Sequence, residues 1–158
     1  MKRIILILIL ILISCSISSG YVKDAIEVTK VIDGDTLVLS YGTKVRLLGV
    51  DTPELHHPSK PVQCYAEEAK KFTELQVLNK PVKLTFEGPS TDKYGRTLAW
   101  VWYGPSYSIL LNSEIIRKGY GFSYRKYPTS KLALLNKLEQ EARTKQLGLW
   151  NPQNCPQK

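Results

Sequence analysis

Residues that commonly bind transition metals are scarce in this 158-residue chain, which contains two histidines and three cysteines. The histidines, His56 and His57, are adjacent in a predicted loop, whereas a structural zinc centre usually takes four cysteine or histidine ligands. The sequence therefore argues against such a centre. It also lacks internal repeats, low-complexity blocks and a proline-rich linker. At this length, those absences exclude a multidomain enzyme and indicate about one domain.

Long apolar runs are few, and the longest is far shorter than the roughly 20 residues of a typical membrane-spanning helix. One unbroken isoleucine and leucine run, from Ile4 to Ile13, follows Lys2 and Arg3. A short apolar run after a basic start is typical of an export signal. A permanent transmembrane anchor is the alternative.

The end of this run, Leu12 to Cys15, resembles the lipobox of bacterial lipoproteins. This likeness implies that a signal peptide, residues 1–14, is removed and that Cys15 is lipidated, which would anchor the protein to a membrane. An ordinary signal cleaved nearer Ser18 to Gly20, giving a secreted protein, is the alternative. Either route predicts export to the cell envelope or the extracellular space.

Acidic residues are fewer than basic ones, 14 against 22, and the formal net charge is +8. Removing residues 1–14 takes away two basic residues and no acidic one, so the exported chain stays basic. A basic surface favours a polyanionic partner such as nucleic acid or an anionic membrane. A positive balance is also a common means of staying soluble.

Two cysteines, Cys64 and Cys155, would remain in the exported chain beyond Cys15. In an oxidising compartment a disulfide between them is the natural hypothesis. Two separate thiols are the alternative.

Apolar residues alternate in the first half of the chain and recur at helical spacing in the second. The predicted strands are residues 25–32, 36–39, 43–50, 82–86 and 98–102. The predicted helices are residues 65–78, 110–118 and 130–146. Five short strands in this order favour an α+β fold that is mainly β, namely a five-stranded OB-type barrel with three helices. We expect this domain to span residues 25–150, between a tether at 15–24 and a tail at 151–158.

Two charged residues fall on strand faces that should point into the barrel. Asp35 shares the face of Leu37 and Leu39, and a carboxylate directed at a core needs a partner. Arg46 shares the face of Leu48, so its guanidinium either reaches out to solvent or meets an anion.

The third predicted strand runs into a polar corner that contains Asp51, Thr52 and Glu54. Taken alone, this corner could be a solvated turn. Hard divalent cations prefer oxygen ligands, and Ca²⁺ tolerates the irregular geometry that two separate loops provide. Asp35 and Asp51 could therefore be the anionic ligands of such an ion.

Three motifs occur in a fixed order: Asp-Gly-Asp-Thr from Asp33, Arg-Leu-Leu-Gly-Val-Asp-Thr-Pro-Glu from Arg46, and Thr-Asp-Lys-Tyr-Gly-Arg from Thr91. Together they resemble the thermonuclease family, also called micrococcal or staphylococcal nucleases. The likeness extends from about Ile26 to Trp150. It implies an OB-type barrel and a calcium-dependent endonuclease that acts on DNA and RNA with little sequence preference and leaves 3′-phosphate ends.

The resemblance also implies roles for individual residues. The positions that match calcium ligands are Asp35, Asp51 and Thr52, the last through its backbone carbonyl, with Asp33 close by. The positions that match catalytic residues are Arg46 and Arg96, which would grip the scissile phosphate, and Glu54, which would activate water. The positions that match substrate-binding residues are Lys93 and Tyr94, with Tyr124 and Tyr127 near the base-stacking tyrosines.

The segment between Tyr124 and Ser130 is about one residue shorter than the family pattern, so the matching of its tyrosines is ambiguous. Some domains of this family keep the barrel and lose catalysis. A non-catalytic nucleic-acid-binding lipoprotein is therefore the alternative function, and a surface scaffold for acidic polymers is a third. The presence of both arginines, Asp51 and Glu54 favours the enzyme. No interface pattern stands out, so we expect a monomer.

Overall fold

The computed structural model describes residues 25–56, 59 and 61–156. The predicted signal peptide, the tether at 15–24 and the lipidation site Cys15 lie outside the described residues, as does His57.

Three helices accompany short strands in the described part of the chain. The strands are β1 (Ile26–Asp33), β2 (Thr36–Leu39), β3 (Lys44–Leu47), β4 (Val50–Asp51), β5 (Pro81–Thr85), β6 (Thr97–Tyr103), β7 (Ile109–Leu110) and β8 (Phe122–Ser123). The helices are α1 (Ala66–Val77), α2 (Leu111–Arg117) and α3 (Leu132–Thr144). All three predicted helices are present, with ends within two residues of those expected.

Five strands close into a barrel in the order β3-β2-β1-β5-β6. Neighbouring strands in this order are antiparallel, and β3 pairs with β6 in parallel, with Val45 opposite Thr97. That parallel pairing joins the two ends of the sheet, so the barrel strands leave no open edge between β3 and β6. The predicted five-stranded OB-type barrel with three helices is confirmed.

The third predicted strand is shorter than expected because the chain bends at Gly49. This glycine has a φ of 67°, a conformation that residues with a Cβ atom rarely adopt. Beyond the bend, β4 leaves the barrel and pairs with β8. The side chain of Asn112 on α2 donates to the Leu48 carbonyl over 2.8 Å and so stabilises the bend. The polar corner that begins at Asp51 is thereby turned away from the barrel wall.

The hydrophobic core lies inside the barrel and under the helices. Its fully buried residues include Val28, Leu37, Val45, Val101 and Ile115. Leu135 and Ala142, on the predicted apolar stripe of α3, are also buried. Among the described residues, no helix combines the length and the apolar composition that a membrane span requires.

Candidate active site

Asp35 is buried, as the strand pattern predicted, with 5% of its surface exposed. Its Oδ1 accepts a hydrogen bond from the Thr36 hydroxyl over 2.9 Å. Its Oδ2 accepts from both the backbone N–H and the hydroxyl of Thr52, over 2.8 and 3.0 Å. These bonds tie the start of β2 to the corner after β4, although the two segments are 17 residues apart. The buried carboxylate therefore fixes the position of that corner.

The guanidinium of Arg46 contacts two carboxylates and does not extend to solvent. Its Nη2 lies 3.2 Å from Asp35 Oδ2 and 3.0 Å from Asp51 Oδ1. Its Nη1 donates to the Val50 carbonyl over 2.6 Å. Asp35 Oδ2 and Asp51 Oδ1 both contact this one nitrogen atom, Nη2. The distance between the two oxygens is therefore at most the sum of their distances to Nη2. Asp35, in the turn before β2, and Asp51, on β4, thus converge on one point.

The polar corner carries an excess of negative charge. Burial raises the pKa of Asp51 above its ordinary value, more than neighbouring Arg46 lowers it. Burial also raises the pKa of Glu54, and the charges of Asp33, Asp35 and Asp51 raise it further. Asp33, Asp35 and Asp51 are therefore close enough to Glu54 for their charges to disfavour its ionisation.

Arg96 is held by the turn that precedes β6. Its Nε and Nη2 donate to Asp92 Oδ2 over 2.8 and 2.7 Å. Asp92 Oδ1 accepts from the backbone N–H groups of Tyr94 and Arg96. Burial alone would raise the pKa of Asp92, but these hydrogen bonds lower it overall. An ionised Asp92 thus orients the guanidinium of Arg96.

One surface groove, of about 550 Å³, brings six of the predicted site residues together. They are Arg46, Lys93, Tyr94, Arg96, Tyr124 and Tyr127. Tyr94 and Tyr127 are largely exposed residues, at 70% and 65%. The guanidinium of Arg96 and the ammonium of Lys93 both lie against the Tyr94 ring, 5.3 and 4.9 Å from its centroid. The groove thus combines cationic groups with exposed aromatic faces, and Arg46 links it to the carboxylates.

Comparison with known proteins assigns the family. The model of the "Staphylococcal nuclease homologue" family matches residues 44–152. The chain belongs to the staphylococcal nuclease family. It is 39% identical over 127 residues to a protein named "Thermonuclease" from Staphylococcus intermedius, an alignment that covers 78% of this chain and 74% of the relative. This family assignment agrees with the order of the three sequence motifs.

The alignments with two further relatives cover a smaller share of those proteins. A "Thermonuclease" from Staphylococcus hyicus is 41% identical over 96 residues, which are 59% of this chain and 55% of that protein. The "SPbeta prophage-derived endonuclease YokF" of Bacillus subtilis (strain 168) is 36% identical over 138 residues, 82% of this chain and 45% of that protein.

The convergent oxygens of this family member fit a hard divalent cation. Within the described residues, no three His, Cys, Asp or Glu side chains form a metal-binding group by themselves. The expected set differs, because it takes two carboxylates, from Asp35 and Asp51, and one backbone carbonyl, from Thr52. Calcium accepts such mixed oxygen sets, with water in the remaining positions, at about 2.3–2.6 Å. A further carboxylate oxygen, Asp33 Oδ1, is buried without a hydrogen-bond partner in the described chain.

The cysteines expected to pair are joined in the structure. Cys64 and Cys155 form a disulfide, with Cα atoms 5.9 Å apart. Cys64 lies two residues before the start of α1, and Cys155 lies in the segment after α3. The residues predicted to be a tail are therefore attached to the domain as far as Cys155.

Sequence reasoning missed two residues that contact the site. Asp92 lies within the third motif but was assigned no role, although an aspartate that opens a turn commonly binds the backbone two residues on. Gln63 bonds to both backbone groups of Glu54. No sequence pattern indicated this contact, since the two residues are nine positions apart.

Proposed function

We propose that this protein is an exported, calcium-dependent endonuclease. It hydrolyses phosphodiester bonds of DNA and RNA with little sequence specificity and leaves 3′-phosphate ends. The observation that carries the proposal is the position of Arg46, which contacts Asp35 and Asp51 and also lines the groove that contains Arg96. The similarity to proteins named thermonuclease supports the same activity.

Phosphodiester hydrolysis places extra negative charge on the phosphoryl oxygens while a water molecule loses a proton. Arg46 and Arg96 suit the first requirement, because a planar guanidinium can donate to two oxygens at once. Both already have fixed carboxylate partners that restrict their side chains. Glu54, at the edge of the carboxylate cluster, would receive the proton of the water. A bound calcium ion would supply Lewis acidity and hold the substrate phosphate.

The groove explains how a substrate of variable sequence could bind. Lys93 provides a fully exposed positive charge for the phosphate backbone. The exposed rings of Tyr94 and Tyr127 provide faces on which any base can stack. Because neither kind of contact reads the edge of a base, the groove favours little sequence preference.

Cleavage of a single-stranded DNA oligonucleotide tests this proposal. We expect turnover with calcium and none with a chelator. Arg46→Lys and Arg96→Lys should each reduce the rate at least about a hundredfold, because lysine keeps the charge but loses the forked geometry. Arg117→Lys is the matched control, since Arg117 is half-exposed and pairs with Glu114 on α2. Binding without any cleavage by the unmodified protein would favour the non-catalytic alternative.

We also propose that the protein reaches its compartment as a lipoprotein anchored through Cys15. The apolar run and the lipobox-like sequence support this proposal, as does a disulfide suited to an oxidising environment. In a bacterial host, the protein should partition into the detergent phase and incorporate labelled fatty acid, and Cys15→Ser should abolish both. If the Cys15→Ser protein still partitions into the detergent phase but incorporates no labelled fatty acid, the result would instead indicate a transmembrane anchor.

A further inference from the structure

Glu54 is held at its backbone by a residue from the far end of the following loop. The Glu54 N–H donates to the side-chain Oε1 of Gln63 over 2.9 Å. The Glu54 carbonyl accepts from the Gln63 N–H over 3.0 Å. One residue thus satisfies both backbone groups of Glu54. Glu54 is otherwise a loop residue, outside the strands and helices of the barrel.

Gln63 is itself fixed on its C-terminal side. Its carbonyl accepts from the Ala66 N–H, in the first turn of α1, over 3.1 Å. The next residue, Cys64, is bonded to Cys155, which is 8% exposed. The Cys155 N–H in turn donates to the Asn151 carbonyl over 3.0 Å. The contact with Glu54 is therefore supported by α1 and by the segment that follows α3.

We propose that Gln63 is a positioning residue for Glu54 and that the Cys64–Cys155 disulfide keeps Gln63 in place. This inference deepens the proposed function and rests on it for its kinetic test. In this role Gln63 does not contact the reacting atoms; it fixes the backbone from which the Glu54 carboxylate extends. We call the two hydrogen bonds between Gln63 and the Glu54 backbone the clamp. A displacement of about 1 Å in a catalytic group can lower a rate about a hundredfold. Loss of the clamp should therefore impair the chemical step more than substrate binding.

Steady-state kinetics on a DNA oligonucleotide with calcium separates these two effects. Gln63→Ala should lower kcat about 10- to 100-fold and change KM less than about twofold. Gln63→Met keeps the side-chain length without the acceptor and adds no charge, so it should lower kcat about as much as Gln63→Ala if the hydrogen bond is what matters. Gln153→Ala is the matched control, because Gln153 is an exposed glutamine two residues before Cys155. An unchanged kcat in Gln63→Ala, or a loss confined to KM, would overturn the inference.

Amide hydrogen exchange tests the clamp without any substrate. In the calcium-free protein, the Glu54 amide should exchange at least about tenfold faster in Gln63→Ala and in the Cys64→Ser/Cys155→Ser pair than in the unmodified protein. The Thr52 amide is the internal reference, because it donates to Asp35 and not to Gln63. Equal acceleration of both amides would indicate general destabilisation and would contradict a local role.

Reduction of the disulfide provides the test of its contribution. A reductant should lower kcat of the unmodified protein at a temperature where circular dichroism shows that it is folded. The same reductant should lower kcat of Gln63→Ala by less than about threefold, because the contact that the disulfide supports is already lost in that variant. Insensitivity of kcat to reduction would show that α1 alone holds Gln63. If the unmodified protein does not cleave at all, the nuclease proposal fails, whereas the exchange result still decides whether Gln63 clamps Glu54.

Discussion

At the scale of single residues, the carboxylate cluster is costly to the folded chain when no cation balances it. Burial raises the pKa values of Asp33, Asp51 and Glu54 above their ordinary values. A raised carboxyl pKa means that the folded state disfavours the ionised form. Arg46 offsets part of this charge through its contacts with Asp35 and Asp51. Stability is thus reduced at the same residues that the proposed chemistry requires.

Replacing Glu54 by glutamine should stabilise the calcium-free protein while it lowers cleavage at least about a hundredfold. Between the ordinary pKa of 4.5 and the raised value, the folded chain holds more protons than the unfolded chain. The stability of the unmodified protein therefore falls as pH rises through that window. Glu54→Gln removes this contribution, so its advantage should be small below pH 4.5 and full at neutral pH.

Urea unfolding with a chelator at several pH values measures this difference. Glu27→Gln is the control, because Glu27 is exposed near the start of β1, at the opposite end of that strand from Asp33. A Glu54→Gln protein that is less stable than the unmodified protein at neutral pH would contradict the electrostatic account.

At the scale of elements, α3 is joined to the site by one buried carboxylate. Glu139 is 1% exposed and accepts from the Ser123 N–H of β8 over 2.8 Å. It also pairs with Arg125 and Arg143 at 3.1 and 2.7 Å. Since β8 pairs with β4, this network supports the strand that carries Asp51. The position of the candidate site therefore depends on a helix that does not line it.

Glu139→Ala should destabilise the protein by about 1–3 kcal/mol, because the buried Ser123 N–H loses its acceptor and two half-exposed arginines lose their shared partner. The neighbouring exposed residue on the same helix, Gln140, provides the control, and Gln140→Ala should change stability by less than about 0.5 kcal/mol. The midpoints of urea unfolding curves that have equal slopes give both changes in stability. A midpoint for Glu139→Ala close to that of the control would show that the network contributes little.

At the scale of the whole molecule, the disulfide connects the segment before α1 with the segment after α3. Its cysteines are separated by 91 positions, so it closes most of the described chain into one loop. A cross-link of that span restricts the unfolded chain far more than the folded one. The barrel itself is closed separately, by the hydrogen bonds between β3 and β6.

Reduction should therefore lower the free energy of unfolding by about 2–4 kcal/mol without changing the fold. Urea titrations with and without reductant measure the loss, and circular dichroism at zero urea checks the fold. The Cys64→Ser/Cys155→Ser protein should match the reduced protein and show no response to reductant. Equal midpoints for oxidised and reduced protein would exclude a stabilising role.

The sequence by itself determined the five barrel strands, the three helices and the family, because these depend on local features; the short strands β4, β7 and β8 were not predicted. Alternating apolar residues, turn residues and ordered motifs can be recognised within short segments. The inward direction of Asp35 also followed from strand alternation alone. The family assignment and the barrel agree with those expectations.

Only the tertiary structure decided where the charged groups meet. The bend at Gly49 moved Asp51 off the barrel wall, and Arg46 then had two carboxylates within reach. The clamp of Gln63 on Glu54 has no sequence signature. The physical reason is the same in each case: hydrogen bonds and ion pairs between residues distant in sequence depend on how packed elements are placed, and no local pattern encodes that placement.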